Sequence, residues 1–341
     1  MNRKYFLVMG CFLVGLMACQ KTVIEAFEGF RQPTGFPQPV YRIADNPITQ
    51  PGFELGRSLF YDPILSANNT ISCGNCHVQT SAFTHHGHSV SHGIHDLVGT
   101  RNSPPIMNLA WQSNLMWDGG IFDLDLQPLA PINNHVEMGE TMDHVLEKLR
   151  QTPKYPGLFK AAFGSEEITT TRFLKALSQF MLLCISDHSK YDSVNKQQAR
   201  FTPLEQRGYS IFQQHCNRCH TEPLFTDGQF HNNGLTPSAI NDKGRQMITL
   251  NDADAYLFKT PSLRNLQYSA PFMHDGRFFT VEAVLDHYDH GVQDMATLDT
   301  ALQANGTRGI QLTTEERSAL LAFLQTLNDR VFLTEKRLSE Q

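Results

Sequence analysis

Apolar residues recur at helical spacing in four segments of the chain, whereas runs of alternating apolar and polar residues, the pattern of strands, are missing from the sequence. These segments are residues 140–150, residues 171–184, a segment that runs from Thr202 through Phe212, and a segment that begins at Thr313. Thr202, Pro203 and Glu205 supply an N-cap, a proline at the first helical position and a capping-box glutamate. Thr313 and Glu316 form a second capping box ahead of a leucine stripe. The pattern therefore predicts a mostly α-helical fold.

The N-terminus has the pattern of an export signal. Two basic residues at positions 3–4 precede the apolar run Tyr5–Met17, which is too short to span a bilayer comfortably. Residues 16–19 resemble the bacterial lipobox, in which the signal is cleaved before a cysteine that then carries lipid. We therefore expect residues 1–18 to be a signal peptide and Cys19 to anchor a periplasm-facing protein to a membrane. The alternative is an ordinary cleaved signal with an incidental cysteine.

Two related domains are expected after the signal. Residues 19–45 are rich in proline and lack periodicity, as is typical of a linker. Further along, segments 56–60 and 208–212 share the pattern Gly-x-Ser-aliphatic-Phe. A chain of 341 residues also exceeds the usual size of one domain. We therefore predict tandem domains at residues 46–198 and 199–341.

Two pentapeptides of the form Cys-x-x-Cys-His carry the clearest chemistry of the chain. Such a motif is typical of covalently bound haem c, because both cysteines form thioethers with the porphyrin and the histidine becomes the proximal iron ligand. A single Cys-x-x-Cys could instead be a zinc or dithiol site, but two complete copies favour haem. Cys184, inside an apolar run, is expected to be a buried structural thiol. The predicted haem-binding residues are Cys73, Cys76 and His77 in the first motif, and Cys216, Cys219 and His220 in the second.

The formal net charge of the chain is −6. An acidic balance argues against binding to nucleic acid and suits a basic or dipolar protein partner. After the signal, the sequence has no apolar run long enough for a membrane span, so we expect membrane attachment through the lipid alone.

Both haem motifs, together with the blocks between and after them, resemble the bacterial dihaem cytochrome c peroxidase family, which includes the MauG-type enzymes. The resemblance covers residues 45–335. The blocks that carry it are Arg101–Pro104, Trp117–Gly119, Pro131–Gly139, Lys259–Asn265 and Ala270–Gly276. It implies two tandem c-type cytochrome domains, mostly α, each enclosing one haem. The implied activity is reduction of hydrogen peroxide to water with electrons from a small cytochrome c or copper protein. Homodimers are common in this family.

The resemblance also implies roles for three residues near the first haem. In this family the haem bound by His77 is the peroxide site. Glu137 matches the distal carboxylate that moves a proton during O–O cleavage, and Gln127 matches a polar distal neighbour. Trp117 matches the tryptophan between the two haems. From the residues alone, Glu137 could be a surface carboxylate or a charge at a helix N-terminus, and Trp117 could be ordinary core.

The sixth ligand of the second haem has two candidates. Tyr288 stands where reductively activated peroxidases have methionine and MauG-type members have tyrosine, and Met273 is the runner-up. An anionic phenolate favours oxidised iron, whereas a thioether favours the reduced form. Tyr288 could instead simply pack against the haem edge.

Reductively activated members place a displaceable histidine where this chain has Ile94, flanked by His92 and His95. If neither neighbour substitutes, the first iron is expected to be open without activation. The histidines of residues 85–95 could form a metal-binding tract, but a solvated, flexible loop is the interpretation we prefer here.

A calcium ion between the domains is also implied by the resemblance. The matching ligand positions are Asn102, Ser269 and Pro271, which would offer hard oxygen ligands.

Two other functions stay open from the sequence. One is a MauG-type oxidase that removes electrons from a partner protein, and the other is a dihaem electron carrier without turnover.

Overall fold

The computed structural model describes residues 27–303 and 306–341. The predicted signal peptide, Cys19 and the first part of the predicted linker lie outside the described residues. Within the described part, no helix is both long enough and apolar enough to cross a bilayer.

The prediction of a mostly α-helical fold is confirmed. The helices are α1 (Gln50–Tyr61), α2 (Cys73–Cys76), α3 (Leu129–Asn133), α4 (Met142–Gln151), α5 (Lys154–Phe163), α6 (Thr170–Leu182), α7 (Lys190–Asn195), α8 (Pro203–His215), α9 (Gln246–Thr249), α10 (Val281–Asp286), α11 (Thr314–Gln325) and α12 (Arg330–Thr334). Short 3₁₀ turns and loops connect them. In the described ranges, the strands are a single antiparallel pair, β1 (Phe230–His231) and β2 (Phe258–Lys259), in which Phe230 lies opposite Lys259.

The helix ends follow the capping chemistry that the sequence predicts. At the start of α8, the Thr202 hydroxyl accepts a hydrogen bond from the Glu205 amide at 3.3 Å, and the Glu205 carboxylate accepts one from the Thr202 amide at 2.6 Å. At α11, Thr313 and Glu316 make the same pair of bonds, at 3.2 and 2.9 Å. Each box satisfies two of the backbone donors that a helix start otherwise leaves unpaired.

The first of two large apolar cores forms around α1 and α6. Phe53 and Phe60 of α1 pack on Phe180 of α6, with ring centroids 5.8 and 4.7 Å apart. Phe332 of α12 reaches the same core and contacts Phe83 at a centroid distance of 5.5 Å. The end of the chain therefore packs into the core that is built mainly from its first half.

The second core forms around α8 and α11. Phe212 of α8 and Phe323 of α11 lie with ring centroids 5.1 Å apart, and Phe225 and Tyr191 complete an aromatic cluster with them. The first of two cavities is bordered mainly by residues between α1 and α6, and the second mainly by residues from the end of α8 to α11.

The repeated sequence pattern marks the same close helix contact in both cores. A Cβ atom on Gly56 would lie 2.0 Å from the backbone oxygen of Ala176, and one on Gly208 would lie 1.9 Å from that of Ala319. Glycine at both positions allows α1 to approach α6, and α8 to approach α11, at backbone contact. The repeat is therefore a packing requirement in each core.

We predict that Gly56→Ala and Gly208→Ala each lower the free energy of unfolding by about 1–3 kcal/mol, because the added methyl must separate two packed helices. Gly157→Ala in α5 is the matched control, since no heavy atom lies within 4 Å of its added Cβ. It should be neutral or stabilising by up to about 1 kcal/mol. Denaturant unfolding followed by far-ultraviolet circular dichroism measures all three. Equal stabilities for the three variants would contradict the packing argument.

Candidate active site

The first haem motif lies on a short, capped helix. The carboxamide oxygen of Asn75 accepts a hydrogen bond from the Ser72 amide at 2.7 Å, which fixes the start of α2. His77 directly follows this helix, and its Nδ1 donates to the backbone oxygen of Phe83 at 2.8 Å. This bond selects the Nδ1-protonated tautomer and leaves Nε2 free to bind iron.

In the second motif, the histidine is oriented by hydrogen bonds of the same kind. Nδ1 of His220 lies 3.2 Å from the backbone oxygen of Phe225 and 3.1 Å from that of Pro261. Phe83 and Phe225 both have a φ of +57°, a left-handed conformation that is uncommon for a bulky residue. Burial lowers the pKa of both histidines, which favours the neutral imidazole that a metal requires.

A cavity of about 590 Å³ opens beside the first motif. Its wall contains Cys73, Cys76 and His77, and also Glu137 and Gln127. The structure therefore brings the predicted proximal and distal residues of the first haem together. Both cysteines are free of disulfides and the lining is mainly apolar, which fits a porphyrin attached through thioethers.

Glu137 lies on the loop between α3 and α4. Its Oε1 accepts a hydrogen bond from the side-chain amide of Asn134 at 2.8 Å, and burial raises the pKa of its carboxyl group. The alternative interpretation as a helix N-terminal charge does not fit, because Thr141 caps α4. It is Glu140 that pairs with Lys148, at 2.9 Å. Glu137 is thus a partly buried carboxylate that borders the cavity.

Apart from His77, no histidine is among the residues that border the first cavity in the described part of the chain. Ile94 is buried and its amide donates to the backbone oxygen of Glu137 at 2.8 Å. His92 and His95 are exposed on the same loop. In this structure neither of the two histidines that flank Ile94 borders the first cavity.

A second cavity, of about 210 Å³, is bordered by Cys216, Cys219 and His220. Tyr288 and Met273, the two candidate ligands, both border it. Tyr288 lies in a single π-helical turn that continues α10, and burial raises the pKa of its phenol to about 12. The side-chain amide of Asn233 lies 3.5 Å from Met273 Sδ. Both candidates are therefore within the same pocket.

The two cavities share a wall in which Trp117 is central. Trp117 is 8% exposed, borders both cavities, and donates from Nε1 to the backbone oxygen of Asn102 at 2.8 Å. Arg101 binds Asp118, the residue after Trp117, at 2.5 Å and Asp242 at 2.6 Å. The indole thus lies in the wall that the two cavities share.

Lys259 of β2 is a site residue to which the sequence alone assigned no role. It borders both cavities, its Nζ donates to Gln112 at 3.1 Å, and burial lowers its pKa to about 8. In the described ranges, no carboxylate lies within ion-pair distance of it. A partly buried ammonium without an anionic partner is unfavourable, so this position would suit the acidic propionate of a haem. Lys259 begins the block Lys259–Asn265, which resembles the family, and this was the sequence feature that could have identified it as a site residue.

His231 was also missed by the sequence analysis. Its Nε2 lies 2.8 Å from Asp227 and its Nδ1 lies 2.6 Å from Asp299, and these two carboxylates raise its pKa. Cys219, Asp227 and His231 lie close enough together to resemble a metal site. Because Cys219 belongs to a haem motif, we interpret His231 as a fixed positive charge at the edge of the second cavity.

The predicted calcium ligands meet at the border of the second cavity. The side-chain nitrogen of Asn102, Nδ2, lies 2.7 Å from the backbone oxygen of Pro271 and 3.1 Å from that of Met273. Ser269 also borders this cavity. The Asn102 side-chain oxygen is buried without a partner. Rotating this amide by 180° would turn its oxygen toward the carbonyls, an arrangement that a hard cation such as calcium stabilises.

Two covalent haem motifs, each at its own cavity, with one tryptophan between them, define a dihaem c-type redox protein. The profile of the family described as di-haem cytochrome c peroxidase matches residues 50–200. The chain is 36% identical to the methylamine utilization protein MauG of Methylorubrum extorquens over 322 residues, which cover 91% of this chain and 86% of the relative. It is 32% identical to the cytochrome c551 peroxidase of Nitrosomonas europaea over 288 residues, covering 80% and 79%.

A solved structure described as a MauG-like protein associated with microbial copper homeostasis superimposes with a TM-score of 0.82 at 33% identity, covering 92% of this chain and 99% of that one. The chain belongs to the dihaem cytochrome c peroxidase and MauG family, which uses two haem groups.

Proposed function

We propose that the protein reduces hydrogen peroxide to water with electrons from a small periplasmic donor. The observation that carries this proposal is which side chains border the two cavities. Glu137 and Gln127 border the same cavity as His77, while Trp117 borders both that cavity and the one containing His220. The haems supply the redox chemistry when bound, and the side chains around them supply proton transfer and the path for charge.

Glu137 is suited to move the proton that O–O cleavage requires. The overall reaction consumes one peroxide, two electrons and two protons and yields two waters. As a carboxylate, Glu137 takes the proton from the near oxygen of peroxide and returns it to the departing oxygen. The bond from Asn134 holds the carboxylate while leaving its other oxygen available. Gln127, whose amide lies 4.0 Å from Met116 Sδ, is a further polar group that borders this cavity.

Charge passes between the sites by way of Trp117. The indole is oxidisable, is fixed by its bond to Asn102, and borders both cavities. We infer that the donor, a small cytochrome c or a copper protein, docks at the domain of residues 199–341. The net charge of −6 favours a donor with a basic or dipolar face.

We further propose that residues 46–198 and 199–341 form two cytochrome domains, each enclosing one haem, and that the protein is exported and anchored through Cys19. Two separate apolar cores support a division into two domains, although Tyr191 packs in the second core and residues 332–338 pack in the first.

A second candidate function is MauG-type oxidation of a partner protein. Tyr288 at the second cavity favours it, because a phenolate ligand would stabilise oxidised states of the second site. Relatives with the MauG name also support it. A non-catalytic electron carrier is the third possibility, and it would have no use for a carboxylate at an open site.

We predict that Glu137→Gln slows the reaction of the ferric protein with one equivalent of peroxide by about 10²–10⁴-fold, because the amide cannot accept the proton. In the parent protein this rate should fall as the pH drops through the raised pKa of Glu137, since protonation removes the base. Stopped-flow absorbance across the pH range measures both effects. Glu140→Gln is the control: it changes a carboxylate three residues away that does not border the cavity, and it should keep the parent rate per haem. Full activity of Glu137→Gln would contradict the assignment and leave the electron carrier as the better interpretation.

We predict that Tyr288→Phe changes the optical and electron paramagnetic resonance spectra of the second haem and raises its reduction potential. The reason is that loss of a phenolate removes a ligand that stabilises ferric iron. Met273→Leu, at the other candidate ligand in the same cavity, should leave both properties unchanged. The opposite result would assign Met273 as the ligand and favour a conventional peroxidase.

We predict that metal analysis finds one calcium ion per chain and that Asn102→Leu lacks it, because leucine removes the side-chain oxygen. The backbone oxygen of residue 102, which binds Trp117, is retained in this variant. Chelator treatment of the parent protein should remove the ion, and added calcium should restore it. Calcium bound equally by both proteins would contradict this site.

A further inference from the structure

Three histidine rings stand in a row beside the first haem motif. The ring centroids of His85 and His88 are 4.9 Å apart, and those of His88 and His92 are 4.4 Å apart. The backbone oxygen of His92 lies 3.6 Å from Sγ of Cys76, so the row borders the haem attachment segment. None of these three residues has a part in the function proposed above.

His85 departs from the solvated loop that the sequence predicts, because it is only 2% exposed. Its Nδ1 lies 3.1 Å from the Ser103 hydroxyl, whereas its Nε2 is buried without a hydrogen-bond partner. A buried polar atom of this kind is rare and costs free energy. Burial, with a smaller contribution from His88, lowers the pKa of His85 to about 4, so its imidazole is neutral. In the tautomer whose Nδ1–H donates to the Ser103 hydroxyl, Nε2 carries a free lone pair.

The other two histidines of the row are exposed and can rotate. Nδ1 of His88 lies 2.9 Å from the backbone oxygen of Val90, which leaves its Nε2 unused, and no hydrogen bond to the His92 ring is seen. By contrast, His86 points elsewhere on the loop, with Nδ1 2.9 Å from the Ser81 hydroxyl. Ring stacking by itself does not satisfy the buried nitrogen of His85.

We propose that His85, His88 and His92 bind one transition-metal ion of the class that takes imidazole ligands, represented by Cu(II) and Zn(II). His85 is the fixed ligand through Nε2. The rings now stand in a row, and rotation of the two exposed side chains brings their nitrogens around the ion. This site is distinct from the two haems and from the oxygen ligands around Asn102, and it does not depend on the peroxidase activity.

The test is calorimetric titration of the dihaem protein, free of any polyhistidine tag, with zinc chloride and separately with copper sulfate. We expect binding of one equivalent of at least one of the two metals. His88→Ala and His92→Ala should each weaken it at least tenfold. His86→Ala and His95→Ala, which change histidines of the same loop outside the row, should bind as the parent does.

His85→Gln tests the buried ligand. Its haem content, measured as the pyridine haemochrome, should stay at two per chain while its affinity for the metal falls at least tenfold. For Cu(II), the parent complex should show nitrogen superhyperfine splitting in its electron paramagnetic resonance spectrum. The proposal would be overturned by absence of stoichiometric binding of both metals, or by equal weakening in the row variants and in the His86 and His95 controls. Normal binding by a folded His88→Ala protein would overturn it as well.

Discussion

The positions of the two imidazoles that we propose as iron ligands depend on a hydrogen bond from histidine Nδ1 to a backbone oxygen a few residues further along the chain. In both halves of the molecule the accepting residue is a buried phenylalanine in a left-handed conformation, Phe83 after His77 and Phe225 after His220. This conformation is unfavourable for a bulky side chain and persists because the ring is held in an aromatic core. Core packing, backbone conformation and the orientation of the metal ligand are thus one connected constraint.

Side chains in the wall between the cavities are also held by hydrogen bonds to backbone oxygens. Trp117 is held from one side by the backbone of Asn102, while the Asn102 side chain reaches the carbonyls of residues 271 and 273. Lys259 adds a partly buried amine to this wall. The same few side chains therefore shape both cavities.

Local features of the fold could be predicted from the sequence. The capping boxes at Thr202 and Thr313, the helical segments and the haem motifs depend on residues close in the chain, and the structure contains these helices at nearly the predicted bounds. The repeat at Gly56 and Gly208 was visible too, although its cause, a backbone contact with another helix, was not.

The arrangement of the candidate site could not be predicted from spacing. Glu137 and His77 are brought to one cavity by loops far apart in the chain, and only the family blocks linked them. The burial of His85, the isolated charge of Lys259 and the two carboxylates around His231 depend on tertiary contacts that no local pattern reports. The sequence also could not decide between Tyr288 and Met273 as the sixth ligand, and in the structure both side chains border the second cavity.

The packing of Phe332 and its neighbours into the first core has a consequence for biogenesis. Because synthesis starts at the N-terminus, Cys73 and Cys76 are made long before residues 332–338. The core behind the first haem therefore stays incomplete until the last part of the chain arrives. Until then the first motif is not enclosed by a finished core, and the second motif is made before that core can close.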